Sequence, residues 1–179
     1  MKENKYDNPA FFEQYSKMNR SVEGLKGAGE WHEFQKMMPD FAGKRVLDLG
    51  CGFGWYCLYA IENGADSAVG VDISENMLAE ARKKTDSPKI TYIHQALEDI
   101  DFPDASFDVV ISSLTFHYIA SFQAICEKVN GQVGHSFSLW NILFLQRKER
   151  RIGTMMRMEI NCIGRSISIS RKVCGRRIS

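Results

Sequence analysis

A short stretch of acid and glycine residues carries the first recognisable chemistry in this chain. Residues 46–54 read V-L-D-L-G-C-G-F-G, so Asp48 stands near the end of an apolar run and glycines follow at every second position. Glycine adopts a positive φ without strain and allows a ligand to approach the main chain closely. The pattern predicts a buried strand that ends in a turn, with a ligand lying across that turn.

The spacing of the glycines indicates which kind of ligand. A dinucleotide-binding turn has the pattern G-x-G-x-x-G, whereas here Trp55 stands where the third glycine would be. No Lys or Arg occurs between Arg45 and Arg82, so the turn has no counterpart of the lysine in a phosphate-binding loop. An acid at the strand end disfavours a phosphate and suits an ammonium group.

A second acid follows at the distance of one β-α-β unit. Asp72 ends another apolar run and lies 18 residues after Gly54, which leaves room for a helix over about 55–63. An acid at the tip of the second strand accepts hydrogen bonds from ribose hydroxyls. Ser74 is typical of a helix N-cap and predicts a helix over 75–84.

Two further strands are predicted at 89–93 and 109–113, where apolar, β-branched and aromatic residues dominate. Between them lie the segments H-Q-A-L-E-D at 94–99 and F-P-D-A-S-F-D at 102–108. Strands that alternate with helices in this way predict an α/β fold with a parallel sheet.

Together these motifs resemble those of the class I S-adenosylmethionine-dependent methyltransferases. The pattern D-x-G-x-G-x-G is similar to the first motif of that family. The F-P-D-A-S-F-D segment resembles its small-molecule branch, methyltransferase type 11, which includes quinone-biosynthesis enzymes. The resemblance covers about residues 40–129. It implies a Rossmann-like, doubly wound, mostly parallel sheet, S-adenosyl-L-methionine as cofactor, and methyl transfer to a small-molecule acceptor.

The resemblance also implies which positions bind the cofactor. Asp48 and the backbone of the glycine turn would hold the methionine moiety, and Asp72 would hold the ribose. Ala96 stands where many members have an acid, so the main chain around Leu97 and Glu98 would complete the adenine pocket, flanked by Ile73 and Met77. The expected set is Asp48, Gly50, Cys51, Gly52, Gly54, Asp72, Ile73, Met77, Leu97, Glu98 and Ser112.

A helical lid is expected in residues 1–40, ahead of the cofactor-binding core at 41–130. One helix is predicted over 8–19 and a second near 31–38, separated by a glycine-rich break. The first carries Phe11, Phe12, Tyr15 and Met18 at helical spacing.

Three side chains of the lid and core are candidates either for contact with the acceptor or for the general base. Tyr15 and His32 are expected to contact it, whereas Phe11 and Phe12 fit simple packing onto the domain equally well. The sequence does not identify the general base. His117 and Tyr15 are the candidates for that role. His117 follows the fourth strand, where ligands bind in open α/β sheets, although packing at the start of the next helix is the alternative.

Composition excludes several classes of protein. The 179 residues suffice for one domain with a real core. The five cysteines form no C-x-x-C pair, and no signal peptide is recognisable, so a reduced, cytoplasmic protein is expected. No apolar run approaches the ~20 residues that cross a membrane. Neither a metal nor a specific nucleic acid is expected as a partner.

The charge is divided unevenly along the chain. Residues 1–130 hold 13 Lys and Arg against 20 Asp and Glu, a net charge of −7. Residues 131–179 hold 10 against 2, a net charge of +8. Such a basic tail is typical of nucleic-acid binding. The alternative is an artefact of translation.

The genetic code tests the second interpretation. We shift the reading frame of the bases that encode the tail by two positions. With a suitable choice of synonymous codons, the resulting amino-acid sequence resembles the continuation of this methyltransferase branch: a P-G-G turn, a strand F-I-F-S-V and an E-H-P segment. The residues forced by this reading are Glu from Trp140–Asn141, Asp from Met155–Met156, Gly from Met158–Glu159 and Leu from Asn161–Cys162.

We therefore interpret residues 131–179 as a poorly ordered tail that is out of frame from about Val129 onwards, with the break within 129–134. The fifth to seventh strands of the fold are then expected to be missing or replaced by this tail. An unpaired sheet edge would follow beside the fourth strand, where Phe137–Leu145 would dock through its hydrophobicity.

Two alternatives to a methyltransferase stay open from the sequence. One is a nicotinamide-dependent dehydrogenase, disfavoured by the glycine spacing. The other is a non-catalytic, cofactor-binding fragment, which the altered tail favours.

Overall fold

The computed structural model describes residues 4–29, 31–36, 38–115, 118–132, 139–142, 155–163 and 166–174. A parallel sheet forms the centre of the fold. Its strands are β1 (Arg45–Leu49), β2 (Ser67–Asp72), β3 (Ile90–His94), β4 (Val109–Ser113) and β5 (Leu139–Ile142). They lie in the order β3-β2-β1-β4-β5, and every neighbouring pair is parallel. This is the Rossmann-like, doubly wound arrangement that the sequence predicts.

The strand order places a topological switch between β1 and β4. The chain builds outward from β1 to β3 and then crosses to the other side of β1. In open α/β sheets, ligands bind beyond the carboxyl ends of the strands at such a switch. The glycine turn follows β1 at that point.

Apolar side chains on both faces of β1 explain its central position. Its last four residues are all buried, as expected for a strand that is covered on both sides. Val46 packs in a cluster with Phe34, Cys57 and Leu78, whereas Leu47 packs in a cluster with Phe107 and Ile125 on the opposite face.

Helices cover both of these faces. They are α4 (Trp55–Glu62), α5 (Glu75–Lys84) and α6 (Phe122–Gln132). The predicted boundaries of α5 are confirmed, because Ser74 Oγ accepts a hydrogen bond from the Met77 amide at 3.2 Å and caps the helix.

The N-terminal region is helical but more broken than predicted. It contains α1 (Pro9–Ser16), α2 (Asn19–Val22), a 3₁₀ helix at Gly24–Gly27 and α3 (Trp31–Gln35). The single helix expected over 8–19 is interrupted because Met18 is extended and begins α2. The helix expected near 31–38 ends at Gln35, three residues earlier than expected.

The sheet edge beside β4 is paired. β5 lies next to β4, with Val110 opposite Leu139 and Ser113 opposite Ile142. Its residues 139–142 lie within the segment Phe137–Leu145, so the predicted docking is confirmed for that described part, and the prediction of an open edge is wrong. The strands β6 (Met155–Ile163) and β7 (Ser166–Cys174) form a separate antiparallel pair.

Candidate cofactor site

The turn after β1 depends on its glycines. Gly50, Gly52 and Gly54 have φ angles of 76°, 52° and 73°, which side chains on L-residues rarely allow. A Cβ on Gly50 would collide with Thr115, and one on Gly54 would collide with the Tyr92 hydroxyl. A Cβ on Gly52 would meet nothing within 4 Å. The turn is therefore packed from two sides and open at its middle glycine.

Hydrogen bonds within the fold engage the amides of this turn. The Gly50 and Cys51 N–H groups both donate to the Val71 carbonyl, at 2.8 and 3.0 Å. The Gly52 N–H donates to Asp72 Oδ2 at 2.8 Å, and the Gly54 N–H donates to the Cys51 carbonyl at 2.9 Å. These four donors are not arranged as a cradle for a phosphate.

Asp48 is a buried acid beneath the turn. Its side chain is 1% exposed, and Oδ2 accepts a weak hydrogen bond from Cys57 Sγ at 3.7 Å. Oδ1 is buried and has no hydrogen-bond partner among the residues that the structure describes. Burial, and then the charge of Asp72, raises the pKa of Asp48 to about 8. Such an acid gains most from a cationic donor, since that donor would satisfy the oxygen and favour ionisation.

Asp72 lies across the turn from Asp48, at the end of β2. Its carboxylate accepts hydrogen bonds from the Gly52 amide at 2.8 Å and from the Ser74 amide at 2.9 Å. Burial raises the pKa of Asp72, and these two hydrogen bonds act in the opposite direction. A carboxylate has about four acceptor sites, so Asp72 retains capacity for hydroxyl donors.

The N-terminal segment docks on the loop between β2 and α5. Asp7 Oδ1 accepts hydrogen bonds from Ser74 Oγ at 2.5 Å and from the Asn76 amide at 3.2 Å. Asn4 Nδ2 donates to the Ile73 carbonyl at 3.2 Å. We call residues 4–8 the strap. The sequence gives no local signal for it, because its partners lie about 70 residues further along the chain.

A cleft opens between the N-terminal helices and the glycine turn. Tyr15 lines it, and so do Cys51 and Ser113, while the predicted contact of Tyr15 with the acceptor stays a prediction. The complete lining is Tyr15, Arg20, Ser21, Gly24, Leu25, Ala28, Gly50, Cys51, Gly52, Phe53, Trp55, Tyr56 and Ser113.

Several other predicted residues lie away from this cleft. Ser112 is fully buried and donates to the Leu49 carbonyl at 2.9 Å, so its hydroxyl ties β4 to β1, and the next residue, Ser113, faces the cleft. The side chain of His32 is 78% exposed, which contradicts its expected pocket contact. His117 lies outside the described residues.

The residues expected around the adenine follow β2 and β3 on neighbouring parts of the same sheet edge. Met77 and Leu97 are buried, and Leu97 packs in the core with Phe107. The Glu98 carbonyl accepts a hydrogen bond from Lys128 Nζ at 2.7 Å, which anchors this loop to α6. Ile73 offers its carbonyl to the strap and to His94 Nε2. Their contacts with adenine stay predictions.

Neither a metal site nor a membrane-spanning helix is present in the described part of the chain. Within it, no group of three or more His, Cys, Asp or Glu is placed to hold a metal ion. None of the described helices combines the length and apolarity needed to traverse a bilayer.

Comparison with known proteins agrees with this geometry. A sequence model of the family described as "Methyltransferase domain" matches residues 46–131. A solved S-adenosylmethionine-dependent methyltransferase structure from Listeria monocytogenes is 40% identical, with a TM-score of 0.60, and the match covers 84% of this chain and 78% of that one.

Two curated proteins are also similar. A Haemophilus influenzae protein without an assigned function is 32% identical over 140 residues, which is 75% of this chain and 55% of that protein. A demethylmenaquinone methyltransferase from Listeria welshimeri is 33% identical over 121 residues, 64% of this chain and 51% of that protein. The chain thus spans about half the length of these curated relatives.

The parallel sheet, its switch point and the two acids around an open glycine define a Rossmann-like protein that binds an adenosine-containing cofactor. The chain belongs to the class I S-adenosylmethionine-dependent methyltransferases. The residues present fit that cofactor, because Asp48 has a buried oxygen without a partner among the described residues and Gly52 leaves open space at the turn.

Proposed function

We propose that this protein binds S-adenosyl-L-methionine across the glycine turn and that the activity of the enzyme is methyl transfer to a small-molecule acceptor. The observation that carries the proposal is the open face of Gly52 between two acids, the buried Asp48 and the half-buried Asp72. Bound there, the cofactor supplies an electrophilic methyl group on a sulfonium.

The protein's own residues bind and orient. Asp48 receives the ammonium group of the methionine moiety, since its Oδ1 lacks another partner among the described residues. Asp72 receives the ribose hydroxyls while its bonds to Gly52 and Ser74 keep it in position. Ile73, Met77, Leu97 and Glu98 surround the adenine in this proposal.

The aromatic side chains of the lid keep water from the reacting groups. Tyr15 packs edge-on against Phe53 and against Tyr6, with ring centroids 5.9 and 5.1 Å apart. Excluding water strengthens electrostatic interactions in the site and holds the reactants together. Tyr15, which lines the cleft, is the candidate of the described region for a contact with the acceptor, and His117 is the other candidate for a general base.

For the acceptor, the branch of the family that the motifs resemble supports a small molecule. Similarity to the Listeria demethylmenaquinone methyltransferase is compatible with a quinone-like acceptor. The net charge of −7 over residues 1–130 also disfavours a nucleic-acid substrate for the folded domain.

The observations disfavour one alternative to a methyltransferase and support the other. A nicotinamide-dependent dehydrogenase is disfavoured because four amides of the turn are already engaged and cannot cradle a pyrophosphate. A non-catalytic cofactor-binding fragment is supported by the tail, since the family match ends at residue 131, inside the proposed frameshift interval.

Isothermal titration calorimetry on the full chain separates these possibilities. We expect S-adenosylhomocysteine to bind and NADH not to bind. A methyl-transfer assay on a chain with the reading frame restored then distinguishes an active enzyme from a binding fragment. A folded protein that gives no heat with S-adenosylhomocysteine would contradict the proposal.

A further inference from the structure

A row of three residues crosses the sheet beneath the glycine turn. Asp48 of β1 lies opposite Gly70 of β2, and Gly70 lies opposite Tyr92 of β3. Because β3 is the outermost strand on that side of the described sheet, Tyr92 is the last member of the row, and it is half-buried. Between the buried acid and the sheet edge there are thus one residue without a side chain and one aromatic residue.

Gly70 leaves a gap that its neighbours fill. A Cβ at this position would lie 2.8 Å from Cys51 Sγ and 2.9 Å from Tyr92 Cδ1. Both distances are shorter than an ordinary van der Waals contact, which is ~3.5–4.0 Å between carbon atoms. The thiol of Cys51 and the ring of Tyr92 therefore occupy the space that a side chain would take. An aromatic residue that covers a strand glycine in this way stabilises the strand pairing.

The ring of Tyr92 also reaches the glycine turn. Tyr92 packs against the core cluster that contains Cys51 and Cys57. Its hydroxyl lies so close to Gly54 that a Cβ on that glycine would collide with it. Burial raises the pKa of Tyr92, and the nearby Cys57, Cys51 and Asp48 act in the same direction. The phenol therefore lies among the groups that surround Asp48, beneath the turn.

The surroundings of Asp48 disfavour its ionised form. The residues that face it from the neighbouring elements are uncharged or acidic: Ile111 of β4, Cys57 of α4, Cys51 of the turn, Tyr92 of β3 and Asp72 at the end of β2. Burial is the larger cause of the raised pKa of Asp48, about 8, and the charge of Asp72 is the smaller one. A gap beside an acid and two thiols is polar enough to hold water, so the residue that fills it controls the hydration of Asp48.

We propose that Tyr92 seals Asp48 from water across the gap at Gly70 and thereby sets the pH range in which the site accepts the cofactor; this inference rests on the proposed function. A protonated Asp48 does not attract the ammonium group of the methionine moiety. Binding then requires release of a proton, and this cost falls as the pH rises. Tyr92 acts through Asp48 and not on the cofactor itself, so it is a positioning residue.

Calorimetry with S-adenosylhomocysteine at pH 6 and pH 8 tests the seal. An acid with a pKa of about 8 is about 1% ionised at pH 6 and about 50% ionised at pH 8, so the affinity of the native protein should rise about 50-fold. Tyr92→Val keeps a side chain suited to a strand but is too short to reach Gly54. Water then reaches Asp48, its pKa falls, and the rise in affinity should be less than about 10-fold. Tyr92→Leu takes the place of Tyr92→Val if the valine variant does not fold.

Denaturant titration provides a second readout, without ligand. The native protein should lose stability between pH 5 and pH 8, because its folded state holds an additional proton on Asp48. This loss should be smaller in Tyr92→Val, in which Asp48 ionises at a lower pH. Asp48→Asn lacks the acid, so adding Tyr92→Val to that variant should leave its pH dependence unchanged.

Two further variants serve as controls. Tyr92→Phe keeps the ring and loses only the hydroxyl, so it should resemble the native protein in both measurements. Ile90→Ala shortens a side chain that packs against the same cluster from the same strand, but Ile90 lies opposite Ala68 and not opposite Gly70. It should lower stability and leave both pH dependences unchanged.

The outcomes separate this inference from the proposed function. If native protein binds no S-adenosylhomocysteine at either pH, both fail. If the affinity of the native protein rises as expected and that of Tyr92→Val rises equally, only the inference is wrong. Equal weakening by Tyr92→Val at both pH values would likewise overturn it, because Tyr92 would then support the fold alone. A flattened pH dependence in Ile90→Ala or Tyr92→Phe, equal to that in Tyr92→Val, would also contradict a seal formed by the ring.

Discussion

Asp72 is the residue whose replacement tests the ribose contact most directly. Asp72→Ala should weaken binding of S-adenosylhomocysteine by about 1–3 kcal/mol, because a charge-assisted acceptor is lost. Titration calorimetry measures this change. Asp66→Ala is the matched control, since Asp66 is exposed and precedes the opposite end of β2. Unchanged affinity in Asp72→Ala would show that the ribose does not bind at this strand end.

Gly52 tests whether the ligand lies across the turn. Gly52→Val should abolish binding while leaving a folded domain, because its side chain would enter the open space at the turn. Valine at positive φ also costs stability, so Gly43→Val is the control: Gly43 has a φ of 67° and equally open surroundings. Both variants should lose similar thermal stability, and only Gly52→Val should lose the ligand. Normal binding by Gly52→Val would refute this placement.

Asp48 makes both stability and binding depend on pH. In the native state its pKa is raised to about 8, whereas the carboxyl of the unfolded chain ionises near the ordinary value of 3.8. Between these pH values the native state holds an additional proton, so the free energy of unfolding of the ligand-free protein should fall as pH rises from about 4 to 8. Denaturant titrations of native protein and of Asp48→Asn, which lacks this proton, measure the difference in slope.

Asp48 should also make the affinity for the ligand depend on pH, in the opposite direction to stability. An ammonium beside Asp48 favours the ionised form, so the affinity for S-adenosylhomocysteine should rise between pH 6 and 8 with release of a proton. Calorimetry in buffers of different ionisation enthalpy measures the number of protons released on binding. An affinity that is independent of pH in the native protein would exclude Asp48 as the ammonium receptor.

At the scale of elements, the strap is the part that a single substitution should detach. Asp7 holds the strap through Ser74 and Asn76, and although burial alone raises its pKa, its hydrogen bonds lower the pKa overall. Asp7→Ala should increase hydrogen exchange in residues 4–16 and weaken cofactor binding. Glu13→Ala is the control, because the Glu13–Lys17 pair is exposed. Equal exchange in Asp7→Ala and native protein would show that the strap is held by other contacts.

At the scale of the whole molecule, the basic tail at 131–179 tests the frameshift interpretation. If residues after about Val129 are out of frame, their basic side chains should give weak, salt-sensitive and sequence-independent adhesion to nucleic acid. Restoring the frame should abolish that adhesion and raise the melting temperature, since the sheet would gain strands selected to pack on it. Sequencing the coding DNA across codons 125–180, followed by calorimetric melting of both proteins, tests this. The full chain should also lose β6 and β7 first to a protease.

A protease-resistant β6–β7 pair that binds one nucleic-acid sequence tightly would contradict the frameshift. The tail would then be a domain in its own right. The pairing of β5 with β4 does not by itself decide the matter, because a hydrophobic segment next to a free sheet edge pairs with it readily.

The sequence by itself determined the core and the centre of the site. The alternation of apolar strands and helices, the spacing of Asp48 and the glycines, and the acid at Asp72 are local patterns, and each depends on residues within one β-α-β unit. Such patterns predicted the parallel sheet, the helix at 75–84 and its Ser74 cap, and the family.

Only the tertiary structure decided which side chains face the cleft. Ser112 and Ser113 are adjacent in sequence, yet the alternation of the strand buries one and exposes the other to the cleft. His32 turns outward, and Asp7 meets the core through hydrogen bonds that no local pattern records. These contacts join residues tens of positions apart, so they are set by how the lid packs on the sheet and not by the periodicity of either segment.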